Sequence, residues 1–151
     1  MSDSPYADVP EQLFGTAFGA IRYVAQTAST NDDASALLGA EDARGTTIVA
    51  DHQTPGAGRK GRAWIAPPGT SLLFTTILPD DVVTVDLWAV PFWTAIAVQA
   101  ALRESGIASD VHWPNDLLIG RRKLCGILCI SRVAGDRASV ACGVGINVQR
   151  T

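Results

Sequence analysis

Residues 53–64 read QTPGAGRKGRAW and combine three glycines, three cations and a final tryptophan in one short segment, the glycine loop. Glycines allow the backbone to approach a ligand closely and to adopt positive φ. The side chains of Arg59, Lys60 and Arg62 supply charge and directional donors for a carboxylate or a phosphate. A solvated basic turn has the same composition, so the segment alone leaves both interpretations open.

The runs on either side of the glycine loop are typical of β-strands. Residues 46–50 are β-branched and apolar, and residues 71–78 form an apolar run that is predicted to be a buried strand. We therefore expect the loop to be held between two strands.

The rest of the pattern predicts a mixture of helices and strands. Predicted helices cover residues 9–17, 29–38 and 86–105, with Pro91 either in the first turn of the last helix or kinking it. Further predicted strands cover residues 20–26, 110–113, 116–119, 123–132 and 138–148. The expected fold class is α+β, with a mixed, largely antiparallel sheet and helices on one face.

Length and charge favour one globular domain with a small ligand. The chain has 151 residues, of which 47% are hydrophobic and 18% charged, and its formal net charge is −3. This charge gives no overall attraction to nucleic acid or to an anionic membrane, so neither is expected as a partner. The positive charge of the glycine loop is local and suits a small anion.

Cysteine usage and the N-terminus predict a cytoplasmic protein. Cys125, Cys129 and Cys142 lie in apolar surroundings without a CxxC spacing, which predicts reduced core residues rather than disulfides or a zinc site. The N-terminus lacks the profile of a signal peptide, and no apolar run is expected to approach the ~18 residues of a membrane span.

The glycine loop formally contains G-x-G-x-x-G at residues 56–61, the fingerprint of dinucleotide-binding folds. That fingerprint must open a helix, and Pro67 and Pro68 are incompatible with a helix continuing from Gly61. A Walker A loop is also excluded, because Arg62 stands where lysine is required.

A second unusual stretch, VHWPNDL at residues 111–117, places Asn115 and Asp116 in a proline turn between two predicted strands. Asp116 is a candidate Mg²⁺ ligand, since magnesium in nucleotide sites is bound by one or two carboxylates and by substrate phosphates. Asn115 is a candidate for orienting the same phosphates. The alternative is an Asx-turn in which both side chains only satisfy backbone amides.

Lys123 begins an apolar predicted strand that continues to Gly126. A lysine entering a buried strand needs a partner, which is either Asp116 across the hairpin or the anionic part of a ligand. Gly126 would leave room for that ligand. The segment GVGIN at residues 143–147 also lacks side chains at alternate positions, which suggests packing against backbone or ligand.

Together these stretches resemble the catalytic domain of biotin protein ligases. The matching motifs are Ser29-Thr30-Asn31, Gln53 with the glycine loop and Trp64, Trp113-Pro114-Asn115-Asp116, Arg122-Lys123-Leu124 with Gly126-Ile127-Leu128, and Gly143-Val144-Gly145-Ile146-Asn147. The resemblance implies a class II synthetase-like fold and an ATP- and Mg²⁺-dependent ligase. Such an enzyme activates biotin as biotinyl-5′-AMP and transfers it to a lysine of a biotin carboxyl carrier domain, and the resemblance also allows a homodimer.

The resemblance further implies roles for individual residues. Lys123 and Arg59 are the implied catalytic residues, and Asp116 is the implied metal ligand. The implied biotin contacts are Ser29, Thr30, Asn31, Gln53, Gly56, Ala57, Gly58, Arg59, Lys123 and Gly126. The implied contacts to ATP or the adenylate are Arg59, Arg62, Trp64 (packing on adenine), Asn115, Asp116 and Lys123.

The chain departs from the family pattern in two residues and in length. Ala57 stands where an arginine is usual, and His112 stands where a lysine usually precedes the WPND motif, so each position lacks a permanent cation. For His112 a hydrogen-bonded core residue is preferred over a catalytic role. The expected domain therefore covers residues 1–151, is monofunctional without a DNA-binding domain, and lacks the family's C-terminal end and small β-barrel.

Two other functions stay open at this stage. A lipoate-protein ligase shares the fold and the adenylation chemistry, although the WPND motif and the glycine loop favour biotin. A non-catalytic biotin or adenylate binder is the second alternative, since Ala57, His112 or the short length could remove turnover.

Overall fold

The computed structural model describes residues 5, 6, 8–54, 56–58, 61 and 63–149. The helices among them are α1 (Val9–Gln12), α2 (Thr30–Ser35) and α3 (Val90–Glu104). The strands are β1 (Ala20–Thr27), β2 (Thr46–Gln53), β3 (Gly56–Ala57), β4 (Ala63–Trp64), β5 (Ser71–Ile77), β6 (Val82–Val83), β7 (Asp110–His112), β8 (Asp116–Ile119), β9 (Arg122–Ala134) and β10 (Arg137–Asn147).

Most of these strands form one mixed sheet in the order β1-β2-β5-β10-β9-β8-β7, with the short β6 paired to β10. The β1–β2 pair is parallel, and the other pairs in this sheet are antiparallel. The expected α+β fold with a mixed, largely antiparallel sheet is confirmed. β3 and β4 form a separate two-stranded ribbon inside the glycine loop, which the sequence pattern did not predict because two residues are too short to show alternation.

α3 covers one face of the sheet. Its buried residues Ala95 and Leu102 pack with Leu117, Ile127 and Val144 in a single apolar cluster. The helix is preceded by a 3₁₀ segment, Thr84–Ala89, and its proline lies in the first turn, where a missing N–H removes no internal hydrogen bond. Of the two expected placements of this proline, the kinked helix is therefore wrong.

The segment Thr84–Glu104 contains α3 and is long and apolar enough to cross a membrane by length and composition alone, with a mean hydropathy of 1.4. The expectation that no apolar run approaches this length is therefore wrong. Because α3 packs against the sheet through its buried side, we assign it as the core helix of the domain.

The opposite face of the sheet carries the short helix α2 and a pocket beside it, so the expectation that the helices lie on one face is wrong. Ala34 and Leu38 pack against Ile48, Ile77 and Ala141 on this face. α2 ends at Ser35, earlier than the predicted 38, and α1 covers only four of the nine residues predicted for it. Isolated helices this short are marginal, so packing rather than propensity determines their ends.

Candidate active site

The N-terminus of α2 forms one wall of the pocket with three buried polar residues. Ser29 is the N-cap, and its Oγ accepts a hydrogen bond of 3.2 Å from the Asn31 N–H. The Thr30 N–H and Oγ1 donate to Gln53 Oε1 at 2.8 and 3.0 Å. The first turn of α2 is thereby fixed to the end of β2, immediately before the glycine loop.

Thr75 on β5 extends these contacts into a network. Its Oγ1 lies 2.8 Å from both Thr30 Oγ1 and Asn31 Oδ1, and the residue is fully buried. Asn31 Nδ2 donates to the Leu128 carbonyl on β9 at 3.0 Å. Sequence reasoning missed Thr75; the available signal was a pair of threonines within an otherwise apolar predicted strand.

Glycines on β9 and β10 shape the floor of the pocket. A Cβ at Gly143 would lie 2.2 Å from Asn31 Oδ1, so only glycine leaves room for that side chain. Gly126 and Gly145 are directly paired across the two strands, and a Cβ on either would lie 2.7 or 2.8 Å from the ring of Trp64. The absence of side chains at these glycines therefore leaves room for the Asn31 side chain and the Trp64 indole.

Trp64 lines the pocket and lies on its glycine floor. The Lys123 Nζ lies 5.5 Å from its ring centroid, and its buried Nε1 has no hydrogen-bond partner among the described residues. The remaining volume is about 60 Å³, whereas small-molecule sites usually measure ~300 Å³ or more. A ligand of that size requires the indole to move. The implied stacking of Trp64 on adenine stays a prediction.

Lys123 and Asp116 form a salt bridge across the β8–β9 hairpin, with 2.7 Å between Nζ and Oδ1. The side chains are 43% and 24% exposed, so water still reaches the ammonium group. Asn147 Nδ2 holds the Lys123 backbone by donating to its carbonyl at 3.0 Å. Of the two partners that the sequence allowed for Lys123, the structure shows Asp116.

Asn115 ties the proline turn to β9. Its Nδ2 donates to the Ile127 carbonyl at 2.7 Å, and the Ile127 N–H donates to the Asn115 carbonyl at 2.8 Å. The Trp113–Pro114 peptide bond in this turn is cis. His112 is exposed at the end of β7, so its interpretation as a core residue is wrong.

The structure brings most of the candidate residues to one pocket. Its lining includes Thr30, Asn31, Gln53, Gly58, Trp64, Asn115, Lys123 and Gly126. Ser29 supports this lining as the cap of α2, Gly56 is buried against Gln53 and Trp64, and Asp116 contacts the lining through Lys123. Ala57 pairs with Ala63 through the backbone. Arg59 and Arg62 lie outside the described residues.

The two ends of this pocket differ in chemistry. The Asn31 amide lies at Gly143 and Leu128, whereas the Lys123 ammonium group lies at Gly126, two residues earlier on β9. Such a pocket suits an elongated ligand with a neutral polar head and an anionic tail. Fold and pocket together define the chain as an α+β domain with a candidate small-molecule site on one face of its sheet.

Comparison with known proteins specifies this class. Residues 23–147 match the biotin/lipoate A/B protein ligase family, and the chain belongs to that family. It is 37% identical over 124 residues to the bifunctional ligase/repressor BirA of Bacillus subtilis, covering 81% of this chain and 38% of BirA. It is 36% identical over 150 residues to the biotin–[acetyl-CoA-carboxylase] ligase of Mycobacterium tuberculosis, covering 91% of this chain and 53% of that protein.

Comparison with solved structures also finds biotin protein ligases. The biotin protein ligase from Aquifex aeolicus in complex with biotin and ATP superposes with a TM-score of 0.68 at 29% identity, covering 89% of this chain and 55% of that one. The resemblance to biotin protein ligases is thereby confirmed. The chain spans between 38% and 55% of the length of these three relatives.

Proposed function

We propose that this domain activates biotin with ATP to form biotinyl-5′-AMP and transfers the biotinyl group to a lysine of a biotin carboxyl carrier domain. The observation that carries the proposal is Lys123, the one charged residue among the described residues that line the pocket. It lines the same pocket as the neutral polar residues Thr30, Asn31 and Gln53, and this combination suits a ligand with a ureido head and a carboxylate tail.

In the first step, a carboxylate oxygen of biotin attacks the α-phosphorus of ATP, and the bond to pyrophosphate breaks. Both reactants are anions, so the ammonium group of Lys123 lowers their repulsion and stabilises the charge that develops in the transition state. Lys123 has to exchange Asp116 for the ligand carboxylate. In the second step, the lysine amine of the carrier attacks the acyl carbon, and AMP leaves.

Water must be kept from the mixed anhydride between these steps. Trp64 and the β3–β4 ribbon lie over the floor formed by Gly126 and Gly145, and this supports a covering role for the glycine loop. Arg59 and Arg62 are proposed to contact the carboxylate and the phosphates.

The residues fit a magnesium ion that binds together with ATP. Asp116 is a half-buried carboxylate beside the pocket, and the described residues contain no cluster of three or more His, Cys, Asp or Glu side chains. One carboxylate plus nucleotide phosphates is a common Mg²⁺ environment. When bound, the ion would neutralise phosphate charge, and Asp116 would hold it.

The carrier domain as partner and a cytoplasmic location belong to this proposal as well. The relative from Mycobacterium tuberculosis is named for its acetyl-CoA-carboxylase substrate, which supports a carboxylase carrier here. No nucleic-acid role is proposed, given the net charge of −3. A homodimer is expected from the resemblance alone.

ATP–pyrophosphate exchange with the full chain tests the activation step. Exchange that depends on biotin supports the proposal, whereas exchange that depends on lipoate alone would contradict it and favour a lipoate ligase. Tight biotin binding by calorimetry, with no exchange and an unmodified carrier domain, would identify a non-catalytic binder.

A further inference from the structure

Two of the three cysteines face each other across the central strands. Cys129 on β9 and Cys142 on β10 are direct register partners in an antiparallel pair. Directly opposed residues in such pairs have Cα atoms ~4.5–5.5 Å apart. Disulfides span Cα separations of ~4.4–6.8 Å, so this backbone register is compatible with a bond between the two sulfur atoms.

The two thiols already interact. Thr94 Oγ1 on α3 lies 4.0 Å from Cys129 Sγ. The hydrogen bond from Cys129 lowers the pKa of the Cys142 thiol and raises the pKa of the Cys129 thiol. The lower pKa makes Cys142 the more nucleophilic member of the pair, because the thiolate is the reactive form of a cysteine.

Cys129 and Cys142 each line a cavity, although most of the surface of the pair is buried. Cys129 contributes to the wall of a cleft of about 270 Å³ between Trp88, Pro91 and Trp113. Cys142 contributes to an apolar groove of about 420 Å³ beneath Trp93 of α3. A small uncharged reagent can enter such spaces, whereas a bulky charged one is disfavoured.

The third cysteine lacks these features. Cys125 is fully buried, and burial raises the pKa of its thiol to about 12. Its register partner on β10 is Ile146, so no second thiol lies opposite it. Cys125 is a matched internal control for the pair.

We propose that Cys129 and Cys142 form a cross-strand dithiol that hydroperoxides oxidise reversibly to a disulfide. The Cys142 thiolate attacks a peroxide oxygen, the O–O bond breaks, and the products are a sulfenic acid and hydroxide (or alkoxide). The Cys129 sulfur then attacks the sulfenic sulfur, the S–O bond breaks, and the Cys129 proton leaves with the hydroxyl group as water. Each of the two sulfur atoms loses one electron, and the peroxide gains these two electrons.

The position of this pair gives the disulfide a structural consequence. The next rung of the β9–β10 ladder is Leu128 opposite Gly143, the two residues that contact the Asn31 side chain on the other face of the sheet. A bond between the cysteines fixes the spacing of the strands directly behind the ligand pocket. The proposal does not depend on the identity of the ligand.

Thiol counting on the native full chain tests the proposal. The reduced protein is treated with hydrogen peroxide, denatured, alkylated and weighed intact, and its peptides are mapped. We expect one alkylated cysteine, Cys125, a mass loss of two hydrogen atoms, and a peptide pair linking Cys129 to Cys142. Dithiothreitol should then restore three alkylated cysteines.

Three variants sharpen this test. Cys125→Ala should still lose two thiols, whereas Cys129→Ala and Cys142→Ala should form no intramolecular disulfide. Circular dichroism identifies a variant that fails to fold, in which case the map of the native protein decides alone. Three alkylated cysteines after peroxide treatment, a bond involving Cys125, a disulfide between chains, or a sulfinic acid as the product would each overturn the proposal.

Discussion

Lys123 and Asp116 hold each other across the β8–β9 hairpin at 2.7 Å, at the edge of a pocket whose other wall is neutral. The pair is partly exposed, so its contribution to stability is small and its exchange for another partner is inexpensive. A ligand carboxylate can therefore compete for the ammonium group. This relationship makes Lys123 both a component of the resting site and a candidate catalytic residue.

Replacement of Lys123 by alanine should lower biotin-dependent ATP–pyrophosphate exchange by about 100-fold or more, the usual loss when one group that stabilises the transition state is removed. The fold should persist, since the side chain is 43% exposed. Arg121→Ala removes an exposed cation near the same hairpin and should leave exchange unchanged. Wild-type exchange in the Lys123 variant would exclude this lysine from the mechanism.

Asp116→Asn should impair the use of Mg·ATP rather than the binding of biotin. We expect the magnesium concentration for half-maximal exchange to rise about tenfold or more, while the biotin affinity measured by calorimetry without ATP is retained. Asp110→Asn, an exposed carboxylate on β7, is the control. An unchanged magnesium dependence would count against Asp116 as the metal ligand.

Gly143→Ala should weaken biotin binding about tenfold or more, equivalent to ~1.4 kcal/mol. The new methyl group would lie 2.2 Å from Asn31 Oδ1 and would displace the side chain that donates to Leu128. Gly19→Ala adds the same group where no atom lies within 4 Å, and it should bind normally. Equal affinities in the two variants would show that Asn31 does not form part of the biotin site.

Biotin binding should change the fluorescence of Trp64, because a ligand has to displace its indole from Gly126 and Gly145. Titration of wild-type protein is compared with Trp64→Phe, which should lose the signal, and with Trp88→Phe, which should keep it because Trp88 is exposed and is not among the described residues that line this pocket. A signal that persists in Trp64→Phe would mean that the indole stays in place when biotin binds.

Thr75→Val should destabilise the fold by ~1–3 kcal/mol, because a buried hydroxyl is lost while Thr30 Oγ1 and Asn31 Oδ1 keep their desolvation cost. Urea unfolding provides the measurement. Thr76→Val removes a hydroxyl from the other face of the same strand, where the threonine is only half-buried, and should cost less. Equal losses of unfolding free energy in the two variants would show that the buried network has no special role in stability.

Local sequence patterns located the long elements well. Runs of β-branched, aromatic and apolar residues placed β1, β2, β5 and β9 within a few residues of their observed ends, because a strand that packs on a core needs such residues along its length. Patterns failed for β3, β4 and β6, which are two residues each and have no period to show. They also placed the end of α2 too late, since contacts with β5 and β10 determine where that helix stops.

Sequence motifs likewise selected most of the candidate pocket, yet the contacts inside it depend on chain segments far apart. Asn31 donates to a carbonyl 97 residues away, and Thr75 reaches Thr30 across 45 residues of chain. Trp64 is expected against adenine, and its indole lies on Gly126 and Gly145. No local pattern encodes these neighbours.

The sequence by itself determined the class of fold, the order of the main elements and the residues that supply charge and glycine, because residue type and hydrophobic period are properties of the chain. The tertiary structure decided that Lys123 rests on Asp116, that an indole occupies the pocket, and that Cys129 faces Cys142 rather than Cys125. These outcomes depend on strand register, and a shift of one residue would turn every side chain to the other face. Register follows from the packing of the whole sheet, so it appears only when the chain is folded.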